Sequence, residues 1–259
     1  MKALLKKIIP ESYRIKLRLD LYKITSIFYL GNTYYCNSCN KSFRKFKSYG
    51  QTNRPNVRCP YCNALERERL MKFYFTDYFQ KNKPEDISIL HFAPKRSTKK
   101  LFKSFPKINY FAADINPNLG DYEVDICNIG FEDEKFDIII CSHVLAHIQD
   151  QNKAVEELRR VLHPDGFLLI LSYVDNNKAT TETVDLNSPD VTNFFQNDTV
   201  YRYHGLDFAN YLASFDFDVE EFDYKKTFDK SIIEKYCLGL DSRENFYICR
   251  KKVVPQSEN

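Results

Sequence analysis

Apolar and polar positions fall into alternating blocks between residues 87 and 175. Residues 87–92 (ISILHF) are a short apolar run with two isoleucines, and after a polar loop residues 97–105 carry apolar side chains at helical spacing. Residues 110–113 run apolar into Asp114, residues 122–124 run into Asp125, and residues 136–141 (FDIIIC) are too apolar to face water on either side. Residues 150–163 place Ala154, Val155, Leu158, Val161 and Leu162 on one helical face, with Asp150 as N-cap and Pro164 as the stop. An Asp165-Gly166 turn then feeds a strand at 167–173. Strands buried on both faces and separated by helices predict an open, mostly parallel α/β sheet with right-handed crossovers. Such sheets bind ligands beyond the carboxyl ends of their strands, where Asp114 and Asp125 fall.

The flanks are less regular. Residues 12–29 alternate like a strand at Tyr13, Ile15, Leu17, Leu19 and Leu21, yet Leu17, Leu21, Ile24 and Phe28 form a helical stripe, and helix is the reading adopted. A basic amphipathic helix suits an anionic membrane surface or nucleic acid; the plainer alternative is a helix docked on its own domain with its lysines in water. Residues 65–80 are helical in pattern, and 81–86, with Pro84, form the linker. Past Gly205 the pattern predicts a helix at 206–212 and strands at 217–224 and 244–250, an antiparallel pair closing the sheet edge. Residues 175–200 lack periodicity and read as a loop bordering the site. The expected segments are 1–30 (basic amphipathic), 31–80 (cysteine ribbon and connecting helix) and 85–252 (the α/β domain).

Composition sharpens this picture in two places. A chain of 259 residues, 43% hydrophobic, can build one core plus a small module. It has no run of eighteen apolar residues, and its first residues are charged every few positions, so neither a transmembrane segment nor a signal peptide is expected and the predicted location is cytoplasmic. Charge is unevenly spread: residues 1–72 hold sixteen Lys/Arg against four Asp/Glu, a surplus of twelve, so the remainder carries nine negative charges net to give +3 overall. Four of the eight cysteines form two Cys-x-x-Cys pairs, Cys36/Cys39 and Cys59/Cys62, with residues 40–58 between them. Two such turns close a four-thiolate tetrahedral shell with no open position, which predicts a structural zinc ribbon. Between the knuckles Lys41, Arg44, Lys45 and Lys47 interleave with Phe43, Phe46 and Tyr49. That mixture serves a single-stranded nucleic acid platform or a ribbon's own core, and it predicts weak, salt-sensitive nucleic acid contact through residues 1–72.

The order ILHFAPK, YFAAD, VDI, FEDEKFDIIICSHVLAHI and ELRRVLHPDG resembles the class I S-adenosylmethionine-dependent methyltransferases (type 11-like) over residues 87–175. RCPYCNALERERL, the HFAP loop and YRYHGLDF resemble, over most of the chain, bacterial methyltransferase-domain proteins with an N-terminal zinc ribbon, often found near surface-glycan genes. The resemblance implies a Rossmann-like doubly wound sheet and S-adenosylmethionine bound by His91, Phe92, Ala93, Pro94, Asp114, Ile115, Asp125, Ile126 and Ser142. Where the superfamily has an acidic residue and a glycine-rich loop after the first strand, this chain has His91-Phe92-Ala93-Pro94-Lys95. The ribbon-bearing relatives usually have Glu at the positions of Lys95 and Ala146.

Residue chemistry agrees. Asp114 at a strand end can accept hydrogen bonds from vicinal ribose hydroxyls. Asp125-Ile126 offers a carboxylate for the adenine amine and an apolar side chain for its ring. Each aspartate alone is equally a turn cap. His143, His147 and His204 are candidate bases for a hydroxyl acceptor, and Arg202 a candidate anion clamp. The loop at 175–200 is expected to form part of the acceptor pocket. Three functions compete: methyl transfer to a glycan or other small acceptor, methyl transfer to RNA gripped by the ribbon, and a non-catalytic cofactor-binding or interaction domain.

Overall fold

The computed structural model describes residues 11–50, 53–83, 85–184, 200–239 and 245–253. The expectations for residues 1–10, Pro84 and 185–199 lie outside them. Two compact units emerge, one of residues 1–83, 95–104 and 225–241, the other of 84–94, 105–224 and 242–259. The chain passes between them next to Pro84, inside the expected linker, but it returns twice, so residues 95–104 and 225–241 belong with the ribbon.

The first unit opens with the helix Glu11–Thr25 and a 3-10 turn Ser26–Tyr29. Two antiparallel hairpins follow, β1 (Leu30–Cys36) with β2 (Lys41–Phe43), and β3 (Lys47–Tyr49) with β4 (Arg54–Arg58). Cys36, Phe43, Phe46, Cys59 and Ala64 make their common core. The helix Glu66–Asn82 ends where Lys83 turns left-handed (φ 43°), and its Phe75 packs edge-on against Phe102 of the helix Arg96–Phe102, centroids 4.9 Å apart. The helical reading of residues 12–29 holds, but the plainer fate for its stripe does not. Tyr13, Leu17, Leu21, Ile24 and Phe28 stand in water, while Leu19, Tyr22 and Ser26 on the opposite side are covered.

The second unit is built on seven strands, β5 (Ile87–Phe92), β6 (Ile108–Asp114), β7 (Tyr122–Glu123), β8 (Phe136–Ser142), β9 (Leu162–Leu171), β12 (Phe217–Phe222) and β13 (Phe246–Lys251). A separate two-residue pair joins β10 (Glu182–Thr183) to β11 (Arg202–Tyr203). The large sheet runs β12-β13-β9-β8-β5-β6-β7, with β13 antiparallel to both neighbours and the other pairings parallel. This is the doubly wound, mostly parallel sheet expected, with its antiparallel closing strand. From β5 the chain winds outward through β6 and β7, then returns to lay β8 on β5's other side. The strand order reverses between β5 and β8, and the carboxyl ends at such a reversal are where sheets of this kind take ligands.

Ile138, Ile139 and Ile140 are no more than 1% exposed, as expected for a central parallel strand. The helix Gln151–Val161 is capped by Asp150, whose carboxylate accepts the Lys153 N–H at 3.0 Å, and it buries Ala154, Val155, Leu158 and Val161. It ends two residues earlier than the pattern suggests, because Leu162 already pairs with Phe136 and β9 begins before the Pro164-Asp165-Gly166 turn. Gly166 is needed there: a Cβ would stand 2.4 Å from the Asp137 carbonyl oxygen.

Candidate cofactor edge and cysteine centre

The two Cys-x-x-Cys turns are built alike. The Asn40 N–H donates to the Cys36 carbonyl (2.8 Å) and the Asn63 N–H to the Cys59 carbonyl (3.1 Å), and both asparagines are left-handed, at φ 55° and 65°. The four sulfurs lie within 4.8 Å of one another, with Cys36 to Cys62 at 3.6 Å and Cys39 to Cys59 at 3.8 Å. A tetrahedral zinc with ~2.3 Å bonds to sulfur has S···S edges of ~3.8 Å, so the four thiols fit that ion. They also compete for protons. Hydrogen bonds from Cys39, Cys59 and Cys62 push Cys36 far down, while Cys39 and Cys62, each facing Cys36 first of all, are pushed far up.

Arg69, fully buried beside this centre, went unremarked in the sequence. Its guanidinium donates to the carbonyls of Ala64, Val57, Tyr236 and Cys237 at 2.5–2.9 Å and lies over the Phe46 ring. The interleaved cations and aromatics largely face each other: Lys41 lies over Tyr61, Lys47 over Tyr22 and Tyr29, and Arg58 over Tyr22 and Tyr49.

At the sheet's carboxyl edge, parallel registry brings Ala93, Asp114, Ser142 and His143 to one level: Phe92 pairs with Ala113 and Cys141, and Ser142 with Leu171. Ala93 is left-handed (φ 49°) and donates its N–H to the Ala113 carbonyl at 2.8 Å, a conformation that glycine adopts more readily than alanine. His143 is also left-handed (φ 54°), its N–H bound to the Leu171 carbonyl at 2.8 Å. Both β5 and β8 are thus followed by a left-handed residue at the carboxyl edge.

Asp114 accepts the Asn116 N–H (2.9 Å) and Asp125 the Cys127 N–H (2.8 Å), each through Oδ1. The turn-cap role is therefore real for both, and it fixes each carboxylate while leaving Oδ2 for a ligand. Gly120 lets the β6–β7 connection close over Asp114; a Cβ would lie 2.7 Å from the Asp114 nitrogen. His91, Phe92 and Pro94 are buried while Ala93 is exposed, and the His91 Nδ1 pairs with the Tyr110 hydroxyl at 3.1 Å inside the sheet. Burial, and then the Asp121 charge, hold that hydroxyl's pKa well above the ordinary phenol range. Ile126 is buried in the core and Ile115 is 72% exposed, so the apolar surface nearest Asp114 is Ile115.

His204 is enclosed. Its Nδ1 lies 2.6 Å from the Ser172 hydroxyl and its Nε2 3.1 Å from Gln151 Oε1, which also accepts from Arg202 at 2.8 Å. Since Gln151 Oε1 is an acceptor, Nε2 carries the proton and Nδ1 accepts from Ser172. Burial, then the Arg202 charge, lower its pKa to about 4, and its ring stacks on Phe208, centroids 4.0 Å apart. Both nitrogens are thus occupied. Arg202 donates to the carbonyls of Ile148 (2.7 Å) and Gln149 (2.9 Å), so that three of its five N–H donors have partners among the described residues. With Gln149, Asn152, Thr181 and Tyr211 it lines a polar pocket of about 190 Å³. His147 ends a 3-10 turn, Leu145–His147, so it lacks the one-turn helical spacing that would align it with His143.

Residues 96–170 match the methyltransferase domain family. A polyketide synthase-nonribosomal peptide synthetase of Aspergillus clavatus is 40% identical over 68 residues, which cover 26% of this chain and 2% of the synthetase. The uncharacterized methyltransferase YcgJ of Bacillus subtilis is 34% identical over 88 residues, 33% of this chain and 35% of that protein. The chain thus spans only a minor part of the curated relatives it matches. Among solved structures, the CurJ carbon methyltransferase aligns over 72% of this chain and 54% of its own at 16% identity, TM-score 0.49. Residues 96–170 thus carry the match to a methyltransferase domain, and they lie in the seven-stranded, mostly parallel sheet.

Proposed function

We propose that the chain transfers the methyl group of S-adenosylmethionine to a small polar acceptor bearing a hydroxyl, a glycan being the favoured class. The observation that carries this is the pair of braced carboxylates, Asp114 and Asp125, on one side of the strand reversal with His143 on the other. Asp114 receives the ribose hydroxyls, Asp125 and Ile115 meet the adenine end, and the Ala93 turn brings backbone close to the methionine end. When bound, the sulfonium supplies an electrophilic methyl. The chain holds an acceptor oxygen in line with it and removes a proton, a task assigned to His143.

Arg202, Asn152 and Gln149 suit the polar groups of such an acceptor, and the loop from His143 to Asp150 joins this pocket to the proposed base. His204 is a positioning residue: it braces Gln151, which in turn braces Arg202. The cysteine centre is assigned one structural zinc. RNA is the less favoured acceptor, because several ribbon cations already cover this chain's own aromatic faces.

Calorimetry with S-adenosylmethionine, followed by labelled-methyl transfer to a panel of sugars and to an RNA fragment, tests the proposal. His143→Gln should remove most transfer to sugars while cofactor affinity stays unchanged. Transfer to RNA alone, lost when Lys45 and Lys47 are changed to Glu, would replace the glycan reading.

A further inference from the structure

The helix Glu11–Thr25 carries two apolar faces rather than one. At 100° per residue, Leu19 and Tyr22 share the covered side, where Lys47 and Arg58 lie over the Tyr22 ring at 5.0 and 5.6 Å. On the opposite side Tyr13, Leu17, Leu21, Ile24 and Phe28 form a continuous ridge, each 51–74% exposed. The ridge is bordered by Lys16 and Lys23 along one flank and by Arg14 and Arg18 along the other. Among the described side chains its acidic neighbour, Asp20, is held by Lys23 at 2.6 Å. Arg44 ties the end of the ridge to the ribbon, donating to the Phe28 carbonyl at 2.9 Å.

We infer that this ridge docks on the surface of an anionic lipid bilayer. Five large apolar side chains in water need a cover, and the two basic flanks select one that is apolar at the centre and negative at both sides. A bilayer interface has that profile. A second copy of the ridge does not, since pairing would set basic flank against basic flank, and nucleic acid would leave the apolar crest against phosphates. From Tyr13 to Ile24 the ridge is roughly 17 Å long at 1.5 Å per residue, so it lies along the surface. Among the described residues no helix is long and apolar enough to cross a membrane. By sequence, Lys2, Lys6 and Lys7 add positive charge ahead of the helix. Docking this way presents the ribbon unit to the membrane surface.

The chain contains no tryptophan, so Phe28→Trp creates a single reporter on the ridge. Titrated with vesicles of phosphatidylcholine and phosphatidylglycerol, the full-length variant should show a blue shift that salt weakens, and with pure phosphatidylcholine little change. Adding Leu21→Glu and Ile24→Glu, at positions already exposed, should weaken binding at least tenfold and leave the thermal midpoint unmoved. An absent shift, an equal shift on neutral vesicles, or binding that survives the two glutamates overturns the inference. So does a ridge-dependent dimer in sedimentation that accounts for the shift without lipid, or a shift produced by RNA instead of vesicles.

Discussion

The cysteine centre and the carboxyl edge of the sheet are two sites made in opposite ways. The first is closed within 27 residues by two like turns whose four sulfurs meet within 4.8 Å, and among the described residues no other His, Cys, Asp or Glu joins the cluster. The second, as proposed, draws on the ends of β5, β6, β7 and β8, residues spread from 91 to 143. A structural centre can be lost by removing one ligand, because the metal is part of the fold. An edge assembled from many strand ends should lose affinity in parts.

The largest effect should therefore fall on the closed site. Cys59→Ser should cost the ribbon its metal and several kcal/mol of its stability, read by metal analysis and thermal melting. A variant with a full complement of zinc would break the contrast at once.

His204 comes next. Its folded pKa, about 4, lies below the ordinary 6.5, so the unfolded chain takes the proton first as pH falls. Its contribution is complete above pH 6.5 and is lost as the pH falls toward about 4, on the order of 3 kcal/mol in all. The thermal midpoint should drop across that window, and His204→Gln should flatten the drop; an unchanged slope would mean that the ring is not held neutral.

Asp114→Ala should weaken S-adenosylmethionine by ~1.5–3 kcal/mol, the range for hydrogen bonds to a charged group, and lower stability only by the ~1 kcal/mol of the lost turn cap. A collapse of binding together with stability would make the edge as brittle as the cysteine centre. The smallest effect should be that of Cys237→Ser, a thiol packed beside the centre and pushed up to about 12 by burial, which should keep one zinc per chain. Loss of the metal there would mean that the shell is not the two knuckles alone.

Legibility in the sequence followed the same division. The cysteine quartet, the Asp150 cap and the strands β5 to β9 stand out because spacing and periodicity are local. The earlier start of β9 was hidden, since it depends on Leu162 finding Phe136 across the sheet. Arg69 was missed because its four carbonyl partners come from three separate segments, and β10 and β11 because neither short strand carries an apolar run. His204 reads in sequence like any free imidazole. Only tertiary packing shows Ser172 and Gln151 closed on it. The helix at 11–25 was legible as a helix but not in its orientation, because two apolar stripes on opposite faces leave periodicity silent about which one packs inward.

The most direct test of the account is calorimetric titration of S-adenosylmethionine into the folded full-length protein, the parent beside Asp114→Ala. The account predicts saturable binding at one site per chain, weakened ten- to about 150-fold in the variant, as ~1.5–3 kcal/mol requires. No saturable binding by the parent, or equal affinity in the two proteins, would contradict it.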